Sequence, residues 1–139
     1  MLLRSRKSYI LLFALLLTIA TVVLTACNAR PTHLFVLPQG FTGWVEVTYE
    51  QPNAPALKEE RNHIVYEVPA SGKVATSSAN KAGPMVFYYV DAIGQRTGFG
   101  TKEQLVHGIG TSSGTDQPPM LRFFVGTEAQ FKQQPKEGY

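Results

Sequence analysis

A single cysteine stands in 139 residues, so no disulfide can staple this chain to itself. Any fold must rest on its apolar core. Charge of one sign is missing as well. The net charge is +3, but Arg4, Arg6 and Lys7 account for the whole excess, and residues 27–139 are formally neutral. The sequence pI near 9.1 is therefore a property of the N-terminus. A nucleic-acid binder would carry a basic patch or stripe; none is present, and no nucleic-acid partner is expected. No long amphipathic helical pattern and no internal repeat occur. The apolar run from Tyr9 to Leu24 falls short of the roughly 20 residues that cross a bilayer.

What is present begins with that run. Arg4, Arg6 and Lys7 precede it, Thr18 and Thr21 alone interrupt it, and small residues end it before Cys27. This is the tripartite pattern of an export signal. Leu24-Thr25-Ala26-Cys27 resembles the lipobox of bacterial lipoproteins. The resemblance implies cleavage before Cys27 and a thioether-linked diacylglyceryl group on it, often with a further fatty acyl chain such as palmitate. Two or more chains anchor stably where one does so marginally, each buried CH₂ contributing about 0.8 kcal/mol. The other reading is an uncleaved anchor with Cys27 an incidental thiol. The chain is thus expected at the cell membrane, lipid-anchored on the extracytoplasmic face. An outer membrane is compatible with Asn28, where an aspartate typically favours inner-membrane retention. The expected organisation is a signal over residues 1–26, the lipidated cysteine and tether over 27–32, a domain over 33–135 and a tail over 136–139. Residues 28–32 extend to about 17 Å at most, which keeps the domain close to the headgroups.

The domain reads as strands. His33–Leu37 is a compact apolar run ending at Pro38. Trp44–Glu50 alternates, with Val45, Val47 and Tyr49 on one face and Trp44, Glu46 and Thr48 on the other. Asn62–Val68 alternates again through Ile64, Tyr66 and Val68. Lys73–Ser78 is a weaker strand, Met85–Ile93 the strongest, and Arg96–Gly100 follows a Gly94-Gln95 turn. Residues 51–62 read as a solvated loop and 108–119, with their glycines and prolines, as another. Thr101–Val106 fits a helical turn or a strand. Leu121–Val125 closes the set, and Thr127 with Gln130 has the spacing of a capping box for a short helix ending before Pro135. Six to eight short strands at this spacing predict an all-β chain, a small antiparallel sandwich with one short C-terminal helix.

Leu37-Pro38-Gln39-Gly40-Phe41-Thr42-Gly43-Trp44, then Tyr66-Glu67-Val68-Pro69-Ala70-Ser71-Gly72, then Phe124-Val125-Gly126-Thr127, resemble a bacterial lipoprotein domain family of unknown function. The likeness covers roughly residues 34–133. It implies an extracytoplasmic single-domain lipoprotein and carries no catalytic residues. The Val-Pro…Ser-Gly corner is also similar to transthyretin-like and carboxypeptidase-regulatory-like sandwiches, and more distantly Ig-like ones, a fold analogy that argues no function.

Gly110-Thr111-Ser112-Ser113-Gly114 matches G-x-S-x-G, which works only on a strand-to-helix turn. Pro118 and Pro119 forbid a helix there, and His33, His63 and His107 all precede Ser112, against the α/β-hydrolase order. A small secreted hydrolase using Ser112 or His107 is the alternative to a non-catalytic module. No H-x-H or H-x-x-x-H pair supports a metal site. Gly98-Phe99-Gly100 and Gly108-Ile109-Gly110 lack the lysine and helix of a phosphate loop, so no cofactor is expected. Glu59-Glu60 reads as solvated. Trp44, Glu46, Phe87 and Tyr89 would form an aromatic ligand face with polar handles if both strands turned them to one exposed surface. The opposing reading places them under the second sheet or the C-terminal helix, with Phe124 and Phe131. The expected partners are the membrane, through diacylglyceryl-Cys27, and an unidentified envelope protein or glycan.

Overall fold

The computed structural model describes residues 6–17, 30–99 and 105–135, in two compact units, Met1–Arg30 and Pro31–Tyr139. In the first, residues 6–17 form helix α1, whose apolar side chains are exposed. No helix among the described residues is long and apolar enough to cross a membrane. Cys27 and the rest of the lipobox lie outside the described residues.

The second unit is a sandwich of two sheets. Its strands are β1 (Thr32–Pro38), β2 (Gly43–Thr48), β3 (Lys58–Glu60), β4 (His63–Glu67), β5 (Lys73–Ala75), β6 (Met85–Val90), β7 (Arg96–Phe99), β8 (Leu105–Gly114) and β9 (Gln117–Gly126), followed by helix α2 (Glu128–Lys132). One sheet has the order β3-β4-β1-β6-β7, the other β5-β2-β9-β8.

The all-β sandwich stands, but its pairing is mixed. β1 pairs in parallel with both β4 and β6, and β2 in parallel with β5. The continuous apolar run of β1 agrees with that position. A central strand flanked by parallel neighbours is covered on both faces and needs no polar alternation. Phe35 and Leu37 face the second sheet, where Val45, Val47, Leu121, Phe123 and Val125 meet Tyr66 and Tyr89. Leu34 and Val36 face the other way and pack with Val65, Val86, Tyr88 and Val90. Over that outer face Arg96 of β7 meets Glu60 of β3 in a bidentate pair at 3.0 and 3.2 Å. Four strand spacings of about 4.8 Å separate those edges. Only a curled sheet brings them together, and the curl helps bury Leu34, Val36 and Val65.

Two segments expected as loop are strand. Lys58–Glu60, inside 51–62, is a fully exposed edge strand. Residues 108–119 belong to the long β8–β9 hairpin, whose tip is Thr115-Asp116. Its glycines and prolines are accommodated by two register irregularities, between His107 and Gly110 and between Ser112 and Gly114. A bulge lets a strand carry residues without a ladder bond. Leu105 and Val106 continue as strand, while 101–104 lie outside the described residues.

Candidate functional site

Alternation along β2 turns Trp44 and Glu46 away from the core, onto the outer face of the second sheet. Alternation along β6 turns Phe87 and Tyr89 into the sandwich. The four residues therefore occupy two faces of two different sheets and form no common platform. Phe87 packs on Phe35, Phe99 and Phe123 at ring distances of 5.5, 5.9 and 5.3 Å. Tyr89 stacks on Phe99 at 4.2 Å and donates its hydroxyl to the Phe41 carbonyl at 3.1 Å. Sequence alternation assigned each strand two faces; it could not say which face of β6 the second sheet would cover.

Trp44 and Glu46 are half-buried and engaged within the chain. The Arg122 guanidinium lies 4.1 Å above the Trp44 ring, a cation–π contact, and its Nε forms an ion pair with Glu46 at 3.3 Å. Phe124, directly opposite on β9, and Phe131, from α2, close on the indole at 5.5 and 6.1 Å. His107 stacks on Phe131 at 5.0 Å, with its Nε2 3.2 Å from the Gly126 carbonyl. Gly108, at φ +60°, leaves room for this stack, since a Cβ there would stand 3.1 Å from the Phe131 ring. The helix that provides Phe131 starts at a capping box: Thr127 accepts from the Gln130 backbone, and the Gln130 side chain accepts from the Thr127 N–H.

The G-x-S-x-G match does not form a nucleophile elbow. Ser112 sits within β8, opposite Met120, on an exposed strand. His107 lies five residues back along the same strand, across a bulge that sets the two opposite residues four apart on β9, so about 13 Å away at strand rise. Among the described residues no hydrogen bond joins Ser112 to a histidine.

His33, at the start of β1, is buried at 4 % exposure. Its Nδ1 lies 2.8 Å from the Tyr66 hydroxyl, which lies 3.2 Å from the Tyr49 hydroxyl. The chain of three groups ties the start of β1 to β4 and to the end of β2. Burial holds the imidazole below its ordinary 6.5, partly opposed by the Lys81 backbone. Burial likewise raises both phenols above 10. Among the described residues Nε2 is buried without a hydrogen-bond partner of good geometry. All three groups are neutral near pH 7, and they stitch the sheets together. The one available signal was the placement of Tyr49 and Tyr66 on core-facing positions, where a hydroxyl needs a partner.

Several clefts open on the described surface. One of about 310 Å³ lies between edge strands β3 and β5, with Leu57, Val65 and Val74 in its wall and Lys58, Glu67 and Lys73 at its rim. A second of about 450 Å³ runs along β6 and β7 by Met85, Tyr88, Phe99 and Val106. A third, about 170 Å³, lies by Pro31, Arg61, His63 and Lys81. Among the described residues no three His, Cys, Asp or Glu side chains gather to hold a metal ion.

The model of a family of unknown function, DUF6843, matches residues 29–134. Comparison with curated proteins finds no match. Among solved structures, a crystal structure named "Putative Lipoprotein" from Bacillus anthracis is similar at a TM-score of 0.59 and 24% identity, over 81% of this chain and 82% of that one. At that identity the likeness concerns the fold.

Proposed function

We propose that this chain, which belongs to the DUF6843 family of unknown function, is an extracytoplasmic lipoprotein held to the membrane by acylated Cys27. Its sandwich serves the cell envelope as a non-catalytic binding or structural module. The observation that carries this reading is the sequence Leu24-Thr25-Ala26-Cys27, behind a basic and then apolar segment and only a few residues before β1 begins at Thr32. Fold likeness to a protein named as a lipoprotein supports it. So does the engagement of the chain's reactive-looking groups: His33 is spent on Tyr66 and His107 on Phe131 and Gly126.

The test is intact mass and fractionation. The wild-type chain extracted from membranes should begin at residue 27 and be heavier by its acyl groups. Cys27→Ala should lose both the acyl mass and cleavage. A bare full-length wild-type chain, or an unchanged mass in Cys27→Ala, would overturn the anchor.

A further inference from the structure

We infer that one end of the sandwich is a lipid-facing surface. It comprises the Arg61-Asn62 turn, the loop through Lys81 and the tip of the β8–β9 hairpin at Thr115-Asp116, and it rests on the phospholipid headgroups while the opposite end points away from the bilayer. This rests on the acylated-Cys27 reading and adds to it a direction.

The argument starts from where the chain enters the domain. β1 is the middle strand of its sheet, so the tether leaves from the centre of that end rather than from an edge. Its first residues are pinned on both sides: the Thr32 N–H donates to the Asn62 carbonyl at 3.1 Å, and the His33 N–H to the Pro84 carbonyl at 2.7 Å. The buried His33 ring holds the same point through Tyr66. Gly83 abuts the exit so closely that a Cβ there would collide with the Pro31 carbonyl oxygen. The tether cannot lengthen by peeling β1 from its neighbours without breaking these bonds. From Cys27 to Pro31 the backbone reaches about 14 Å at most.

The strand directions then decide what lies at that end. β4 and β6 run parallel to β1, so their starts, with Arg61, Asn62 and Lys81 just before them, share it. β2 ends there too, because Tyr49 meets Tyr66. β9 is antiparallel to β2, with Thr48 opposite Met120 and the Tyr49 N–H donating to the Pro119 carbonyl. The hairpin tip therefore projects past the last β2 residue on the tether side. Its Ser112, Ser113, Thr115, Asp116 and Gln117 are polar and exposed, as suits a headgroup layer and not the hydrocarbon beneath. Arg61 and Lys81 are exposed and have no ion-pair partner among the described residues, which leaves both cations for headgroup phosphates. At the other end of β1, about 23 Å away at strand rise, the exposed Gln39 begins the turn to β2.

With its single cysteine acylated, the chain offers no thiol, which makes the test clean. Full-length protein is extracted from membranes and reconstituted in phosphatidylethanolamine–phosphatidylglycerol vesicles. Asp116→Cys, Ser113→Cys and Gln39→Cys variants carry a thiol-reactive fluorophore, and a lipid with a spin-labelled headgroup is the quencher. Fluorescence at positions 116 and 113 should fall by its larger part, while that at 39 stays unchanged; two tip positions guard against one variant failing to fold. Equal quenching at both ends, or stronger quenching at 39, would overturn the orientation. The parent chain should take no label. Labelling of the parent would reveal a free Cys27, which refutes the anchor itself and is read separately from the quenching pattern.

Discussion

At the scale of single residues, the His33–Tyr66–Tyr49 chain has the most at stake. Its two hydroxyls and His33 Nδ1 are shut away from water, so each depends on its neighbour. Tyr66→Phe would leave His33 Nδ1 and the Tyr49 hydroxyl buried without a partner. The expected loss is about 1–3 kcal/mol in a urea titration, and adding Tyr49→Phe should cost less than it does alone, because its partner is already gone. The pH dependence follows from the lowered His33 pKa. Below about 6.5 the unfolded chain takes up a proton that the buried ring resists, so stability falls with pH from there until the folded-state value is passed, and is flat below it. The denaturation midpoint should therefore drop between pH 7 and pH 5, and the part due to His33 should vanish in His33→Gln. Raised tyrosine values act at the alkaline end, where stability declines as pH climbs past 10.

At the scale of an element, α2 is too short to stand alone. Helices this short are unstable in water unless packed, and none of its residues is buried. It depends on its capping box and on Phe131, which lies against Trp44, Phe124 and His107. Thr127→Ala should cost about 1 kcal/mol by losing the cap. Phe131→Ala should free the helix and expose one side of the indole. Trp44 is the sole tryptophan, so its emission reports on this cluster without interference: a red shift with the sandwich still folded is expected, and an unchanged spectrum would show that the helix does not cover it. Gly108→Ala should be destabilising on two counts, the left-handed φ and the crowding of the Phe131 ring.

At the scale of the molecule, the core between the sheets draws its residues from Phe35 to Val125, all after the tether. Loss of the lipid should leave folding untouched. Cys27→Ala in detergent should share the denaturation midpoint of the wild type within about 0.5 kcal/mol, as for a change that leaves these core residues intact. Phe123→Ala is the contrast. Fully buried between Phe35 and Phe87, it should cost about 3–5 kcal/mol, a large share of the 5–15 kcal/mol typical of a domain. Loss of cooperative melting in that variant, measured calorimetrically, is the expected sign.

The sequence alone determined what depends on neighbours along the chain. Period-two alternation placed Val45, Val47, Tyr49, Ile64, Tyr66 and Val68 in the core, and all are buried. The Thr127–Gln130 spacing located the helix start. Contacts between distant segments were decided by the tertiary structure. Alternation says that a strand has two faces but not which strand lies beside it, so the parallel β1 pairs could not be read. It could not separate Trp44 and Glu46 from Phe87 and Tyr89, because which faces become covered depends on how the two sheets stack. The glycines and prolines of 108–119 looked like a loop because local propensity disfavours strand there. Pairing with the apolar β9 and the bulges that absorb the irregularities overrode it. His33 was buried by the same long-range logic: only when β4 and the end of β2 arrive does its ring find the hydroxyl that makes burial tolerable.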